Sequence, residues 1–155
     1  MKTRTVTRYY SQDHQRLDDL FHRFQERKAT DFQEACRLFA EFKAGLEHHI
    51  LWEEEVLFPA FDAKIGERPG SPTGFMCWEH RHLRRYLARI EENLPRVDTE
   101  TELVQIAFAS LLGAHNRKEE RMLYPVLDEM LAEPERHEIF LRMDPSRSGV
   151  APAAL

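Results

Sequence analysis

The sequence has few cysteines, no long apolar run and no excess of basic residues. Only two of its 155 residues are cysteines, Cys36 and Cys77, and no C-x-x-C pair is present. This count predicts no disulfide framework, so we expect free thiols in a reducing, cytoplasmic compartment. No window is apolar enough to cross a bilayer, and the first residues lack the apolar stretch of a secretory signal. With a net charge of −5, neither nucleic acid nor an anionic membrane is an expected partner.

Strand signals and common catalytic motifs are also scarce. The chain has no sustained alternation of apolar and polar residues and no Asn-Gly or Asp-Gly hairpin turn. It has no Gly-rich phosphate loop, no G-x-S-x-G and no H-E-x-x-H. Helical periodicity dominates instead. It predicts helices over about residues 7–28, 31–65, 72–93 and 99–131, and it allows a further short helix after Pro134.

Four long helices with short connections predict an all-α fold, an up-down-up-down four-helix bundle over residues 1–143. The Gly- and Pro-rich segment 66–74 is the clearest break, and it would separate two helical hairpins. Residues 144–155 are expected to form a disordered tail.

Two segments of the chain are near-copies of each other. Residues 46–62 read LEHHILWEEEVLFPAFD and residues 112–128 read LGAHNRKEERMLYPVLD, an offset of 112 − 46 = 66 residues. The same offset pairs His14 with His80, His49 with His115, Glu53 with Glu119, Glu54 with Glu120, and Pro59 with Pro125. Each half therefore supplies one lone His and one His-x-x-x-Glu, so the repeat predicts a structural unit used twice and two related helical hairpins.

The repeated His and Glu occupy helix positions where the apolar stripe requires a core residue. A spacing of four places each Glu about 6 Å from its His along the helix axis. Buried carboxylates that face each other are costly unless a cation lies between them. The pattern therefore predicts a two-metal site with the following ligands: His14, His49, Glu53, His80, His115 and Glu119. Imidazole and carboxylate suit iron, with zinc or manganese as alternatives.

Other polar residues near the stripe receive different interpretations. Three histidines lie off the stripe and are expected at the surface: His22, His82 and His137. His48, Glu54 and Glu120 are rotated roughly 100° from the neighbouring ligand positions. The two Glu are expected either to support the ligands from outside or to form pairs at the surface.

Pro59 and Pro125 lie at matching places inside the second and fourth predicted helices. Each removes a backbone hydrogen bond, which predicts a kink. The apolar stripe of the fourth predicted helix includes Met122 and Val126, which predicts that both are core residues.

These residues resemble the hemerythrin-like HHE cation-binding domain family. The resemblance rests on His14, His49-x-x-x-Glu53, His80 and His115-x-x-x-Glu119, with Leu-Phe-Pro and Leu-Tyr-Pro after the Glu positions, and it covers about residues 5–132. It implies a bundle with a non-haem, oxo- or hydroxo-bridged di-iron centre. It also implies a small ligand such as O2, NO or peroxide, bound for sensing, scavenging or iron handling.

The chain departs from the oxygen-carrying hemerythrins at one position. Those proteins have a fifth histidine one turn before the third-helix ligand, where this chain has Met76; the repeat-related residue is Tyr10. Tyr10 or water could complete the coordination of one metal, and the departure counts against reversible oxygen carriage. Two alternatives stay open: a di-iron enzyme acting on peroxide or nitric oxide, and an interaction module with a structural metal. The sequence also leaves the oligomeric state open, a homo-oligomer included.

Overall fold

The computed structural model of the protein describes residues 4–66, 70–94 and 96–143, so the predicted tail lies outside the described residues. Seven α-helices are present in these ranges: α1 Val6–Arg27, α2 Phe32–Trp52, α3 Phe58–Ile65, α4 Pro72–Glu92, α5 Thr99–Lys118, α6 Tyr124–Met130 and α7 Glu133–Arg142. Single π-helical turns join α2 to α3 at Glu53–Leu57 and α5 to α6 at Glu119–Leu123. The four predicted long helices and the short helix near Pro134 are therefore all formed.

The helices pack as two hairpins, α1 against α2 and α4 against α5, and α1 also contacts α6 of the other hairpin. This arrangement, without strands in the described part of the chain, confirms the predicted all-α bundle. Over the same residues, no helix is both long enough and apolar enough to cross a membrane.

The last residue of each repeated segment ties down the start of a helix. The Asp128 carboxylate accepts hydrogen bonds from the backbone N–H groups of Val6 (2.7 Å) and Thr7 (2.9 Å) at the start of α1. Its counterpart Asp62 accepts from the hydroxyl of Thr73 (2.7 Å) in the first turn of α4. Both carboxylates lie where a helix N-terminus favours negative charge. The repeated segments thus position the first turn of α1 and of α4, in addition to supplying residues of the core.

Each proline of the repeat is accommodated by the π turn that precedes it. Pro59 has no N–H for the carbonyl of Glu55, and the N–H of Phe58 bonds instead to the carbonyl of Glu53. The freed Glu55 carbonyl accepts a hydrogen bond from Arg142 Nη2 in α7 (3.4 Å). A π turn contains one residue more than an α turn, so it rotates the following helix relative to the preceding one.

This rotation corrects the predicted core of the second hairpin. Met122 is 65% exposed and Val126 is 37% exposed, so their assignment to the core was wrong. The side chains that face inward are Leu123, Tyr124 and Leu127, all at most 2% exposed. The prediction assumed an α-helical period through Glu119–Leu123, and this segment forms a π turn instead.

Two apolar clusters fill the bundle on either side of the predicted ligands. One contains Phe42 and Phe108, whose ring centroids lie 5.9 Å apart across the two hairpins. The other contains Leu57 and Leu127 and is completed by Ile139 of α7. The predicted ligand positions lie between these clusters in sequence and in space, so they form a polar layer inside an otherwise apolar core.

We expect Leu87→Ala to lower the free energy of unfolding by about 2–5 kcal/mol, because Leu87 is fully buried in the first cluster. The same substitution at Leu103, which is 60% exposed, should change it by no more than about 0.5 kcal/mol. Chemical denaturation of the two variants measures both values. Equal losses would contradict the described core.

Candidate metal centre

The six predicted ligands meet in one layer of the core. His14 comes from α1, His80 from α4, and the two His-x-x-x-Glu pairs come from α2 and α5 with the π turns that follow them. None of the six side chains is more than 3% exposed: His14, His49, Glu53, His80, His115 and Glu119. Their donor atoms form two overlapping groups, and within each group all atoms lie within 4.8 Å of one another.

The four imidazoles are arranged as two equivalent pairs. The Nε2 atoms of His14 and His49 are 3.1 Å apart, and those of His80 and His115 are also 3.1 Å apart. Two nitrogens about 2.1 Å from a common ion and separated by this distance would subtend roughly 95° at the ion. That angle suits octahedral coordination, so each pair has the spacing needed for one metal ion.

Glu53 lies between the two pairs. Its Oε1 is 3.4 Å from His49 Nε2, and its Oε2 is 3.3 Å from His80 Nε2. One carboxylate oxygen is therefore directed to each pair, which is the arrangement a carboxylate needs to bridge two ions.

Glu119 has the equivalent arrangement, with Oε2 3.4 Å from His14 Nε2 and Oε1 3.0 Å from His115 Nε2. Within the described ranges, Glu53 Oε2 and Glu119 Oε1 are buried without a hydrogen bond of acceptable geometry, despite the nearby imidazoles. Buried carboxylate oxygens without hydrogen bonds are costly. The donor set therefore fits a pair of metal ions better than it fits a metal-free core.

A carboxylate outside the layer binds the far side of each imidazole. The Nδ1 contacts are His14 to Glu120 (2.7 Å), His49 to Asp13 (2.9 Å), His80 to Glu54 (2.9 Å) and His115 to Glu79 (2.9 Å). Ionised carboxylates only accept hydrogen bonds, so Nδ1 carries a proton and, in the neutral imidazole, Nε2 carries the lone pair. This tautomer is the one that ligates metal through Nε2.

Two of these outer carboxylates were not identified from the sequence. Glu54 and Glu120 have the supporting position that was one of their two expected roles, whereas Asp13 and Glu79 were assigned no role. A signal was present, because an acidic residue directly precedes the lone His in both copies of the repeat.

The electrostatics of the metal-free layer also favour a cation. Burial alone would lower the pKa of His49, but the charge of Glu53 and the hydrogen bond to Asp13 outweigh it and raise the pKa to about 10. His115 follows the same pattern, with Glu119 as the main opposing charge, and its pKa is also raised to about 10. The layer thus stabilises positive charge, for which protons and metal ions compete.

Tyr124 is a further residue of the layer that was not identified from the sequence. Its hydroxyl donates to Glu53 Oε1 (2.5 Å) and Glu119 Oε2 (2.9 Å) and lies 3.4 Å from His14 Nε2. These are donor atoms of one side of the centre only. At the repeat-related position, Phe58 stacks on the His80 ring with centroids 5.6 Å apart. The difference was visible as Leu-Tyr-Pro against Leu-Phe-Pro, but only the π turn explains why this residue faces inward.

Tyr10 is buried close to the centre, but its hydroxyl is directed elsewhere. The Tyr10 ring packs against His49 with centroids 5.0 Å apart, and its hydroxyl donates to the sulfur of Met143 at 3.5 Å. The structure therefore does not bring this oxygen into the donor set, and ligation by Tyr10 stays a prediction. The histidines without a predicted ligand role are exposed or half-buried: His22, His48, His82 and His137.

A helical bundle with two His pairs and two central carboxylates defines a cation-binding protein. The family model described as Hemerythrin HHE cation binding domain matches residues 5–127. The chain therefore belongs to the hemerythrin HHE family, whose usual cation is iron. Neither the curated proteins nor the solved structures gave a match.

We expect Asp13→Ala to weaken metal binding by about 10- to 100-fold, because His49 loses the carboxylate that orients it. Asp19→Ala provides a matched control in the same helix, since Asp19 is 66% exposed and its one ion pair among the described residues is with Arg23. Competition with a chromophoric chelator measures both affinities. If the two variants bind equally well, Asp13 does not support the site.

Proposed function

We propose that this protein binds two iron ions and uses them to bind O2, NO or peroxide, in sensing, scavenging or iron handling. One observation carries the proposal: Glu53 and Glu119 each direct one oxygen to each histidine pair. His14 and His49 would hold one ion, and His80 and His115 would hold the other. Both ions would share Glu53 and Glu119, and these six residues are the proposed ligand set. Zinc and manganese suit the same donor atoms. Elemental analysis of the purified protein would identify which metal is bound.

The protein's own contribution is to fix the ligands and to limit access of water. Arg84 donates to both oxygens of Glu54 at 3.1 Å, and Lys118 pairs with Glu79. These contacts hold the outer carboxylates that orient the imidazoles. The bound metal would supply Lewis acidity and redox chemistry, while the apolar clusters on either side exclude bulk water from the layer.

Turnover of peroxide or nitric oxide is the second candidate function. It is favoured by the difference between Tyr124 and Phe58, because Phe58 offers no donor atom on the His80 side. A catalytic metal site keeps an open coordination position. Steady-state consumption of hydrogen peroxide by the iron-loaded protein separates this function from ligand binding alone.

We expect two metal ions per chain, and we expect Glu53→Ala and Glu119→Ala each to lose at least one of them. His22→Ala is the matched control, because His22 has the same spacing to Glu26 but both side chains are more than half exposed (71% and 60%). Elemental analysis after anaerobic iron loading gives the counts. One ion or fewer per wild-type chain, or unchanged content in both Glu variants, would rule out the proposed centre.

We also expect removal of the metal to lower the melting temperature. Ligand present at 1,000 times its dissociation constant stabilises the folded state by about 4 kcal/mol, and the emptied layer keeps two buried carboxylates without their cations. Scanning calorimetry with and without a chelator measures the shift. The Glu53→Ala/Glu119→Ala double variant should show no chelator effect, whereas an equal shift in that variant would assign the stabilisation to another site.

A further inference from the structure

A continuous series of aromatic rings leads from the centre to the surface. Tyr124 contacts the donor atoms, and its ring centroid is 5.0 Å from that of Tyr10. Tyr10 is 5.5 Å from Tyr9, and Tyr9 is 6.3 Å from Trp52. Tyr124 and Tyr10 are fully buried, whereas Tyr9 and Trp52 are partly exposed. The series therefore starts at the metal layer and ends at solvent.

The other half of the molecule lacks this series, although its backbone repeats the first. The 66-residue offset pairs Tyr9 with Phe75, Tyr10 with Met76, Trp52 with Lys118 and Tyr124 with Phe58. Phenol and indole lose a single electron readily, but phenylalanine and lysine do not, and methionine is oxidised by gain of an oxygen atom. At these four pairs of positions, the easily oxidised residues thus lie only on the side of His14 and His49.

We propose that Tyr124, Tyr10, Tyr9 and Trp52 form a path for single electrons between the metal centre and the surface. The inference rests on the proposed function, because the centre must contain a redox-active metal. It assigns a further activity to the chain, namely delivery of an electron to the oxidised centre from the surface.

Hydrogen peroxide is a suitable oxidant for testing the path, because its reduction takes up a known number of electrons. Peroxide takes two electrons and two protons to give two waters; iron held by the proposed ligand set would supply one electron, and the aromatic path would supply the other. Trp52 or Tyr9 would be the residue that is oxidised, by this one electron. The indole or phenol proton passes to solvent and leaves a neutral radical, which an external thiol restores by donating a hydrogen atom.

The hydrogen bond of Tyr10 indicates where the radical should reside. Its hydroxyl donates to the thioether of Met143, which is too weak a base to take the proton. Tyr10 therefore bridges the path without being the site of stable oxidation. Tyr9 and Trp52 are in contact with solvent, which accepts the proton, so the radical is expected on one of these two.

The chain also offers a matched control for this path. It has four tyrosines and two tryptophans, and three of the tyrosines and one of the tryptophans are in the path. The remaining two are Tyr86, which packs near Phe108, and Trp78, which stacks on Phe75. Tyr9→Phe/Trp52→Phe and Tyr86→Phe/Trp78→Phe thus remove the same functional groups, one set on the path and one set off it.

The experiment begins with elemental analysis and the visible spectrum of each iron-loaded protein, with circular dichroism as a check of folding. Each ferrous protein is then mixed with hydrogen peroxide, freeze-quenched and examined by electron paramagnetic resonance. We expect a protein radical in the wild type and in Tyr86→Phe/Trp78→Phe, and its loss in Tyr9→Phe/Trp52→Phe. The ferric centre of the path variant should also be reduced more slowly by an external thiol.

The other outcomes contradict either the electron path alone or the proposed function as well. Equal radical yields and equal reduction rates in the two double variants would overturn the path. So would the absence of any radical in wild-type protein whose iron is bound and oxidised, and in that case the proposed metal site would stand. Failure of the wild type to bind iron would overturn the proposed function, and the electron path with it.

Discussion

The rest of the structure depends on two carboxylates, Glu53 and Glu119, that face the same buried space. Their donor oxygens lie within 4.8 Å of each other and of two imidazoles, and neither side chain has measurable exposure. Desolvation costs several kcal/mol for each such ion, so the arrangement is stable only with compensating positive charge. The outer carboxylates set the imidazoles in the tautomer that leaves Nε2 free for that charge. The apolar clusters above and below the layer provide the burial that offsets its cost.

The π turns connect ligand placement to the side chain beside the ligands. Each begins at a central Glu and ends at the residue before the Phe or Tyr that precedes the proline. Because the turn inserts one residue, Phe58 and Tyr124 rotate toward the layer instead of following the α-helical period. A missing proline N–H thus has a consequence at the candidate metal centre, because it permits the π turn that brings the Tyr124 hydroxyl among the possible donor atoms.

The helical bundle and the meeting of the six central residues in one layer could be predicted, because both depend on helical periodicity and on the internal repeat. Both features can be identified from the sequence alone. The exposure of Met122 and the burial of Tyr124 could not, since an α-helical period was assumed through a π turn. Asp13 and Glu79 were missed for a different reason. Each binds an imidazole from another helix, 36 residues away in sequence, so its role depends on how the helices pack.

The repeated ligand positions would not hold two equivalent ions, because the surroundings of the two halves differ. Arg84 binds Glu54 on the His80 side, and the repeat-related position 84 − 66 = 18 holds Asp18. Burial raises the pKa of Asp18, His14 opposes this shift and the charge of Glu120 adds to it, so this position holds an acidic group where the other side has a guanidinium. When Asp18 is ionised, an ion on the His14 side would have the more negative surroundings, which favour a higher oxidation state. That side is also the one from which the aromatic series leads to the surface, so under the proposed function the ion that most readily stays oxidised would be the one closest to the proposed electron path.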